Sequence, residues 1–379
     1  MGSLQADVLV VGAGPAGSTL ALNLAPSHEV LLVDIDATPP WRVGENLPAA
    51  ARRLLADMGL WQAFEAQGHL PCPVSHSTWG SAQPQVQDAL RNLDGPGWHL
   101  NRPQFDAWLR DVACQRGAAL LTGVQRVRLS AGQAGIAGIA GQSSGWLVQV
   151  ERPGSTLRIQ ARYVVDATGR PSSMARQLGA QRHTLDKLVC GWVLGKADAS
   201  QVVQTAPTEL HTEPDGWWYS AALPAGQRLL AFYTDADLPA ARHAHTPTAL
   251  LARAARTAAL QPVLQTSQFE PADPSGFCAA HSAVLTPFTG PDWLAVGDAA
   301  LSFDPLSSQG LFNALYTGLA GAEALHQLLG SPDADAPLAG YAGELARIQA
   351  NYLQHLQAWY GDERRWETEP FWRRRQGGV

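Results

Sequence analysis

The chain opens on a continuous apolar run, DVLVVGAGPAG from Asp7 to Gly17, which is cut by Gly12, Gly14 and Gly17 and resumes as an Ala/Leu-rich stretch over Ser18 to Leu24. A short apolar run that meets a glycine turn and continues at helical spacing predicts a buried strand, a tight turn and a helix. A second apolar strand, Glu29 to Val33, ends at Asp34. After a third strand at Tyr163 to Asp166 and a helix over Ser172 to Leu178, the pattern changes. Leu188 to Gly195, Thr208 to Thr212, Gly216 to Leu223 and Arg228 to Thr234 mix β-branched, aromatic and turn residues, which predicts an antiparallel sheet. Gln142 to Gln160 reads as a further hairpin, preceded by AGQAGIAGIAG, a Gly/Ala tract expected to be a mobile turn. Helices are expected over Ala249 to Leu260 and about Ala336 to Tyr360. The closing DERRWETEPFWRRR is read as a cap whose Trp366, Phe371 and Trp372 pack on the nucleotide-binding domain, with a docking surface for a partner polypeptide as the alternative.

Composition narrows the function classes. With 46% hydrophobic and 16% charged residues over 379 positions, the chain has the balance of a folded protein with more than one lobe. A net charge of -6 offers no attraction to nucleic acid or anionic lipid. No stretch approaches the ~20 apolar residues of a membrane span. The N-terminus lacks the basic segment of a secretory signal, so a mature cytoplasmic protein is expected. Cys72, Cys114, Cys190 and Cys278 show neither CxxC nor metal-ligand spacing and read as small reduced core residues, with no metal site.

Gly12, Gly14 and Gly17 fall at GxGxxG spacing between strand and helix. Gly12 permits the turn, Gly14 lets backbone N–H groups approach a pyrophosphate, and Gly17 allows close helix–strand packing. The helix start supplies the positive end of a dipole. Asp34, twenty positions after Gly14, can accept the ribose hydroxyls of an adenosine. These residues alone leave FAD and NAD both open.

Three later segments carry a resemblance. WLAVGDAALSFDPLSSQGLFNAL (Trp293 to Leu315), YVVDATGR (Tyr163 to Arg170) and GWHLNRPQFDAWLRDVA resemble the FAD fingerprints of glutathione-reductase-like flavoproteins, in particular the aromatic-hydroxylase and flavin-halogenase branches. The resemblance implies an α/β fold: a PHBH-type FAD-binding Rossmann domain with an inserted antiparallel-sheet substrate domain and C-terminal helices. The expected boundaries are 1–70, 97–185 and 280–330 for the FAD domain, 71–96 and 186–279 for the substrate domain, and 331–379 for a helical and aromatic tail. FAD is then the cofactor. Its expected contacts are Gly12, Gly14, Pro15, Ala16, Gly17, Asp34, Arg42, Val124, Asp166 and Gly169, with Arg102 as the pyrophosphate-neutralising arginine. Gly297 and Asp298 would face the ribitol, and Pro305, Gly310 and Leu311 the flavin edge, where a helix N-terminus stabilises negative charge.

Only one dinucleotide fingerprint is present, so electrons must come from a transient NAD(P)H, an external flavin reductase or the substrate. The GE segment at Gly44–Glu45 and the turn from Asp304 to Gly310 also resemble flavin halogenases. Those enzymes carry a lysine soon after the GE segment and a WxWxIP stretch, whereas this chain lacks the stretch and holds only Lys187 and Lys196. WRVGENLPAAARRLL, STWGS, DGWWYSAALP, FYTDADL and RRWETEPFWRRR resemble the halogenase-like flavoproteins of the GoxB, LodB and QhpG type, which mature the cysteine tryptophylquinone cofactor of amine oxidases and dehydrogenases. That resemblance implies an FAD-dependent monooxygenase that oxygenates a tryptophan of a quinoprotein precursor through a flavin C4a-(hydro)peroxide. Arg42 and Glu45 are the candidate catalytic residues, and Trp79, Trp218 and Tyr219 the candidate walls of the aromatic pocket. Hydroxylation of a small aromatic molecule, less so halogenation, is the alternative, and a non-catalytic flavin-binding assembly factor is a third reading.

Overall fold

The computed structural model describes residues 3–89, 93–131, 145–196, 207–331 and 336–377. Most of the Gly/Ala tract, residues 132–141, lies outside them. The first apolar run forms a strand, Ser3–Val11, paired in parallel with Val30–Val33 on one side and Ser155–Asp166 on the other. Ala119–Leu121 and Trp293–Ala295 extend the parallel sheet at its two ends. The register aligns Leu121, Val33, Val11, Asp166 and Ala295 in one row. Five strands therefore end together, and the loops that follow them share one edge, where ligands of open parallel sheets bind. The Trp146–Arg152 and Ser155–Asp166 hairpin appears as expected, with Arg126–Ala131 added beyond it.

Close backbone approach holds this edge together. Gly12 has φ +105°, and a Cβ there would sit 2.2 Å from the Ala167 carbonyl oxygen. At Gly17 a Cβ would lie 2.0 Å from the Gly12 carbonyl oxygen. The helix Pro15–Leu24 is thereby pressed onto the strand ends, and the long helix Gly310–Gly330 packs against it in turn. Gly318 makes that second approach possible, since a Cβ there would meet the Ala16 carbonyl oxygen at 2.6 Å.

The second large sheet runs in the order Glu270–Ala279, Leu188–Lys196, Gln227–Asp235, Gly216–Leu223, Thr208–Glu213, Val74–Ser77 and Gln85–Asp88. Its centre is antiparallel as expected, but Thr208–Glu213 pairs with Val74–Ser77 in parallel. Three of its strands escape a hydrophobicity reading because they are at or near an edge and largely polar; Glu270–Ala279 even carries prolines, which edges tolerate. The expected helix over Ala249 to Leu260 is shorter, Pro247–Ala254, followed by a separate turn at Ala258–Leu260.

Side chains alternate across this sheet. Cys190, Trp192, Trp217 and Tyr233 share one face and one core, whereas Val193, Trp218, Leu230 and Phe232 pack on the other face against Pro239–Ala244 and Pro247–Ala254. The C-terminal tail corrects the expected packing: Phe371 and Trp372, with Tyr360, join the core of this second sheet and Trp366 packs against it, rather than on the parallel sheet. Trp372 donates its indole N–H to the Glu213 carbonyl (2.9 Å), and Arg375 pairs with buried Asp235 (2.6 Å). Earlier along the helix Ala336–Asp362, Tyr341 and Tyr352 belong to the nucleotide-binding core. One helix thus spans both lobes.

Gly12→Ala is expected to cost about 3 kcal/mol through strain and collision, read as a lowered melting temperature. Gly14→Ala, with φ -74° and nothing within 4 Å of its Cβ, should keep its melting temperature, so equal melting temperatures for the two variants would contradict this geometry. Trp372→Ala should cost about 3–5 kcal/mol in urea unfolding.

Candidate functional site

A groove of about 1010 Å³ runs along the shared strand ends and beneath the inner face of the second sheet. At one end, Gly12, Gly14, Pro15 and Ala16 line it together with Asp34, Val124 and Gly169. At the other lie Asp298, Pro305, Gly310 and Leu311. Two helices begin on this groove, at Pro15 and at Gly310, and neither has a side-chain cap on its first amides. Uncapped helix starts leave N–H donors that a bound anion or carbonyl can satisfy. Beside them, no atom lies within 4 Å of where a Cβ would stand at Gly14 or Gly310. An extended dinucleotide with a phosphate bridge near Gly14 and a polar ring edge near Gly310 fits this cradle.

The charged residues are held in fixed positions. The Ala13 amide donates to Asp34 Oδ2 at 2.6 Å, and the Asp36 amide to Oδ1 at 2.8 Å. Arg102 forms a bidentate pair with Asp106 and donates to the Gly44 carbonyl at 2.7 Å. Burial is the largest influence and opposes its charge, but Asp106, Glu45 and Asp298 together outweigh it and raise the pKa, so a fixed cation remains in the wall. Asp298 meets Arg170 at 3.5 Å and keeps a partly open carboxylate on the groove. Arg110, not singled out in the sequence, donates to the carbonyls of Ala13 (2.7 Å) and Asp36 (2.8 Å) and pairs with Asp34 (3.1 Å). Its signal was present: Arg102, Asp106 and Arg110 recur every four residues on one helix, Arg102–Gln115, and so share a face.

Several expected contacts fall elsewhere. Asp166 is buried, and its two oxygens accept from the Thr168 amide and hydroxyl and from the amides of Met174 and Ala175. It therefore caps the helix Ser173–Gln177, while its neighbours Ala167 to Arg170 line the groove. Gly17 and Gly297 are packing positions; a Cβ on Gly297 would lie 2.7 Å from the Ala16 side chain. Arg42 lines the groove with its side chain largely exposed, 3.4 Å from Asp36, which places it at the nucleotide end. Trp218 is fully buried on the sheet's far face, because it alternates with the groove-lining Trp217 and Tyr219. Trp79 packs edge-on against Trp217 and Trp372 and donates to the Trp359 carbonyl, so it supports the wall from behind.

The aromatic wall consists of Trp41, Trp192, Trp217, Tyr219 and Tyr233. Trp217 stacks on Tyr233 at 3.9 Å, and Trp41 lies 4.4 Å from Trp192. Glu45 is buried beside it and accepts from the Gly44 amide at 3.0 Å. Burial pushes its carboxyl up, opposed by Tyr219, the local amides and Arg102. The Tyr219 hydroxyl faces Glu45 and the Trp217 indole faces Tyr360, but among the described residues neither buried donor completes a hydrogen bond of normal geometry. Buried donors of this kind are uncommon in native folds and suit a wall that a ligand completes.

At the turn Asp304 to Gly310, Asp304 Oδ1 accepts from the Leu306 amide (2.9 Å) and Oδ2 from the Tyr360 hydroxyl (2.7 Å). Burial, then the Asp186 charge, pushes its carboxyl up to about 6, against Arg375, the Leu306 amide and Tyr360. A folded-state value above the unfolded one stabilises the fold at low pH and loses that contribution as pH rises through about 6. The stability difference between the wild-type protein and Asp304→Asn should therefore shift against the wild-type protein by about 2 kcal/mol from pH ~4 to pH ~7; parallel urea-unfolding profiles would refute this.

Comparison with known proteins follows the same lines. The family model for the FAD binding domain matches residues 5–349. LodB of Marinomonas mediterranea, described as an FAD-dependent oxidoreductase, is 29% identical over 378 residues, covering 97% of this chain and 96% of LodB. Among solved structures, the flavin-dependent halogenase CmlS superposes with TM-score 0.84 at 24% identity, covering 100% of this chain and 68% of CmlS. The peptidyl tryptophan dihydroxylase QhpG, essential for tryptophylquinone cofactor biogenesis, superposes with TM-score 0.74 at 24% identity over 98% of this chain and 79% of QhpG. Among the described residues no helix is long and apolar enough to cross a membrane. With a family match over nearly its whole length and a groove shaped for the dinucleotide, the chain belongs to the FAD binding domain family and is an FAD-dependent oxidoreductase.

Proposed function

We propose that this protein is a flavin monooxygenase that adds oxygen to the indole ring of a tryptophan held in a peptide or protein, in the maturation of a quinone cofactor. The observation that carries the reading is the aromatic wall of Trp41, Trp192, Trp217, Tyr219 and Tyr233, which shares one groove with the turn from Asp304 to Gly310. Its support is the end-to-end correspondence with LodB and the fold held in common with QhpG, whose substrate is a peptidyl tryptophan. Halogenation is disfavoured by the placement of the lysines: Lys187 pairs with Asp237, Lys196 is exposed, and neither lines the groove.

FAD, when bound, would supply reducing equivalents and the activated oxygen, with electrons from NAD(P)H or a flavin reductase. Gly14, Arg102 and Asp298 would hold it along the groove, and the amides at the start of Gly310–Gly330 would meet its polar edge. The chain's other contribution is positional. Stacked rings hold an indole by offset or edge contacts worth about 0.5–1.5 kcal/mol each beyond area burial. Glu45 and the Tyr219 hydroxyl are polar groups beside those rings. They would orient the indole N–H and hold a proton there, and the surrounding apolar wall excludes water.

Co-expression with a quinoprotein precursor should add one or two oxygen atoms to a precursor tryptophan, read by peptide mass spectrometry, and Tyr219→Phe should lower the yield roughly tenfold. A precursor of unchanged mass beside a bound, reducible flavin would sink the reading. Substrate-stimulated NAD(P)H oxidation with free aromatics would then favour a small-molecule hydroxylase.

A further inference from the structure

The strands Leu188–Lys196 and Glu270–Ala279 are antiparallel neighbours, and their register sets Cys190 directly opposite Cys278. Both residues line the groove. They continue a row across four strands, Trp217, Tyr233, Cys190 and Cys278, each paired with the next. Nothing in the linear spacing of the cysteines shows this, because the two are brought together by strands that are distant in sequence.

We propose that Cys190 and Cys278 are a reversible redox pair in the groove wall, closing to a disulfide on oxidation by hydrogen peroxide and reopening under a thiol reductant. Directly opposed residues of antiparallel strands have Cα atoms about 4.5–5.5 Å apart, inside the roughly 4.4–6.8 Å range that a disulfide spans. The backbone spacing set by the register is therefore compatible with a disulfide. The pair is asymmetric. Cys278 is partly exposed to the groove, and its thiol is held below the ordinary range by the neighbouring Cys190 and by Arg170, against the effect of burial. Cys190 is fully buried and pushed well up by that burial. Thiolate character and access decide which cysteine reacts first, so Cys278 is the attacking thiol and Cys190 the resolving one. The remaining free thiols are set apart by their position and thiolate character: burial raises Cys72 and, with Asp111, exposed Cys114, and neither lines the groove.

The chemistry balances in two steps. The Cys278 thiolate sulfur attacks one peroxide oxygen, the O–O bond breaks, and a sulfenic acid and hydroxide result. The Cys190 sulfur then attacks Cys278 Sγ, the S–O bond breaks, and the departing hydroxide takes up the Cys190 proton as water. Two thiols and one peroxide thus give one disulfide and two waters. FAD bound in this groove would, when reduced and left without an acceptor, be a source of hydrogen peroxide, and both cysteines line the same groove. The inference rests on the register and the groove and is independent of the aromatic substrate.

The test uses the purified FAD-loaded protein, treated with hydrogen peroxide, then denatured and alkylated with N-ethylmaleimide. Intact mass should show the adducts fall from four, one for each cysteine, to two. Peptide mapping should link Cys190 to Cys278, and dithiothreitol should restore all four adducts, with flavin absorbance reporting cofactor retention throughout. C278S should keep its three adducts after the same treatment, and C190A should trap a dimedone-reactive sulfenic acid at Cys278. If either variant fails to fold, the wild-type map decides. Four adducts after peroxide, or a crosslink through Cys72 or Cys114, would overturn the proposal.

Discussion

The site depends on one steric constraint: the backbone turn at Gly12 must pass against the Ala167 carbonyl. There is no room for a side chain at Gly12 or Gly17, and that closeness draws the first helix onto the row of strand ends. Once it is seated, Gly310–Gly330 can cross behind it through Gly318, so two uncapped helix starts open on the same groove. Neither helix start could serve a shared ligand if the first turn were looser. Arg110 reinforces the arrangement by tying Ala13, Asp34 and Asp36 together from the opposite helix.

The second sheet supplies the other wall by simple alternation. Odd and even positions of Gly216–Leu223 point to opposite faces, so Trp217 and Tyr219 meet the groove while Trp218 is buried against helices. Glu45, buried and pushed towards its neutral form, and Tyr219, whose hydroxyl faces it, introduce polarity into a wall otherwise made of rings. A buried hydroxyl left short of a full hydrogen bond, as at Tyr219, costs about 1–3 kcal/mol, a cost that a bound ligand can relieve.

The C-terminal helices make the two lobes one unit. Tyr341 donates to the Ala295 carbonyl at the end of a nucleotide-sheet strand, Tyr352 accepts from the Asp304 amide, and Tyr360 donates to the Asp304 carboxylate. The same tail then inserts Phe371 and Trp372 into the core of the substrate sheet. The turn at Asp304 is consequently braced by a segment whose far end reports on the other lobe.

The glycine turn, the strand ending at Asp34, the flavin-edge turn and the central antiparallel strands were legible in the sequence because each is local: a turn needs glycine at its own position, and a buried strand announces itself by its own apolar run. Glu45, Tyr219 and most of the residues expected around the cofactor came from the family resemblance of longer segments, and the structure brings most of them to one groove. What tertiary structure alone decided were relations between distant segments. Which of three consecutive aromatic residues faces the groove depends on strand pairing, and Asp166 turned inward because a helix start needed its oxygens. The tail chose the substrate sheet because Glu213 and Asp235 offered partners there. Cys190 met Cys278 only through register. Hydrophobic pattern encodes what a segment is, whereas register and packing set what it touches, and these depend on the whole chain at once.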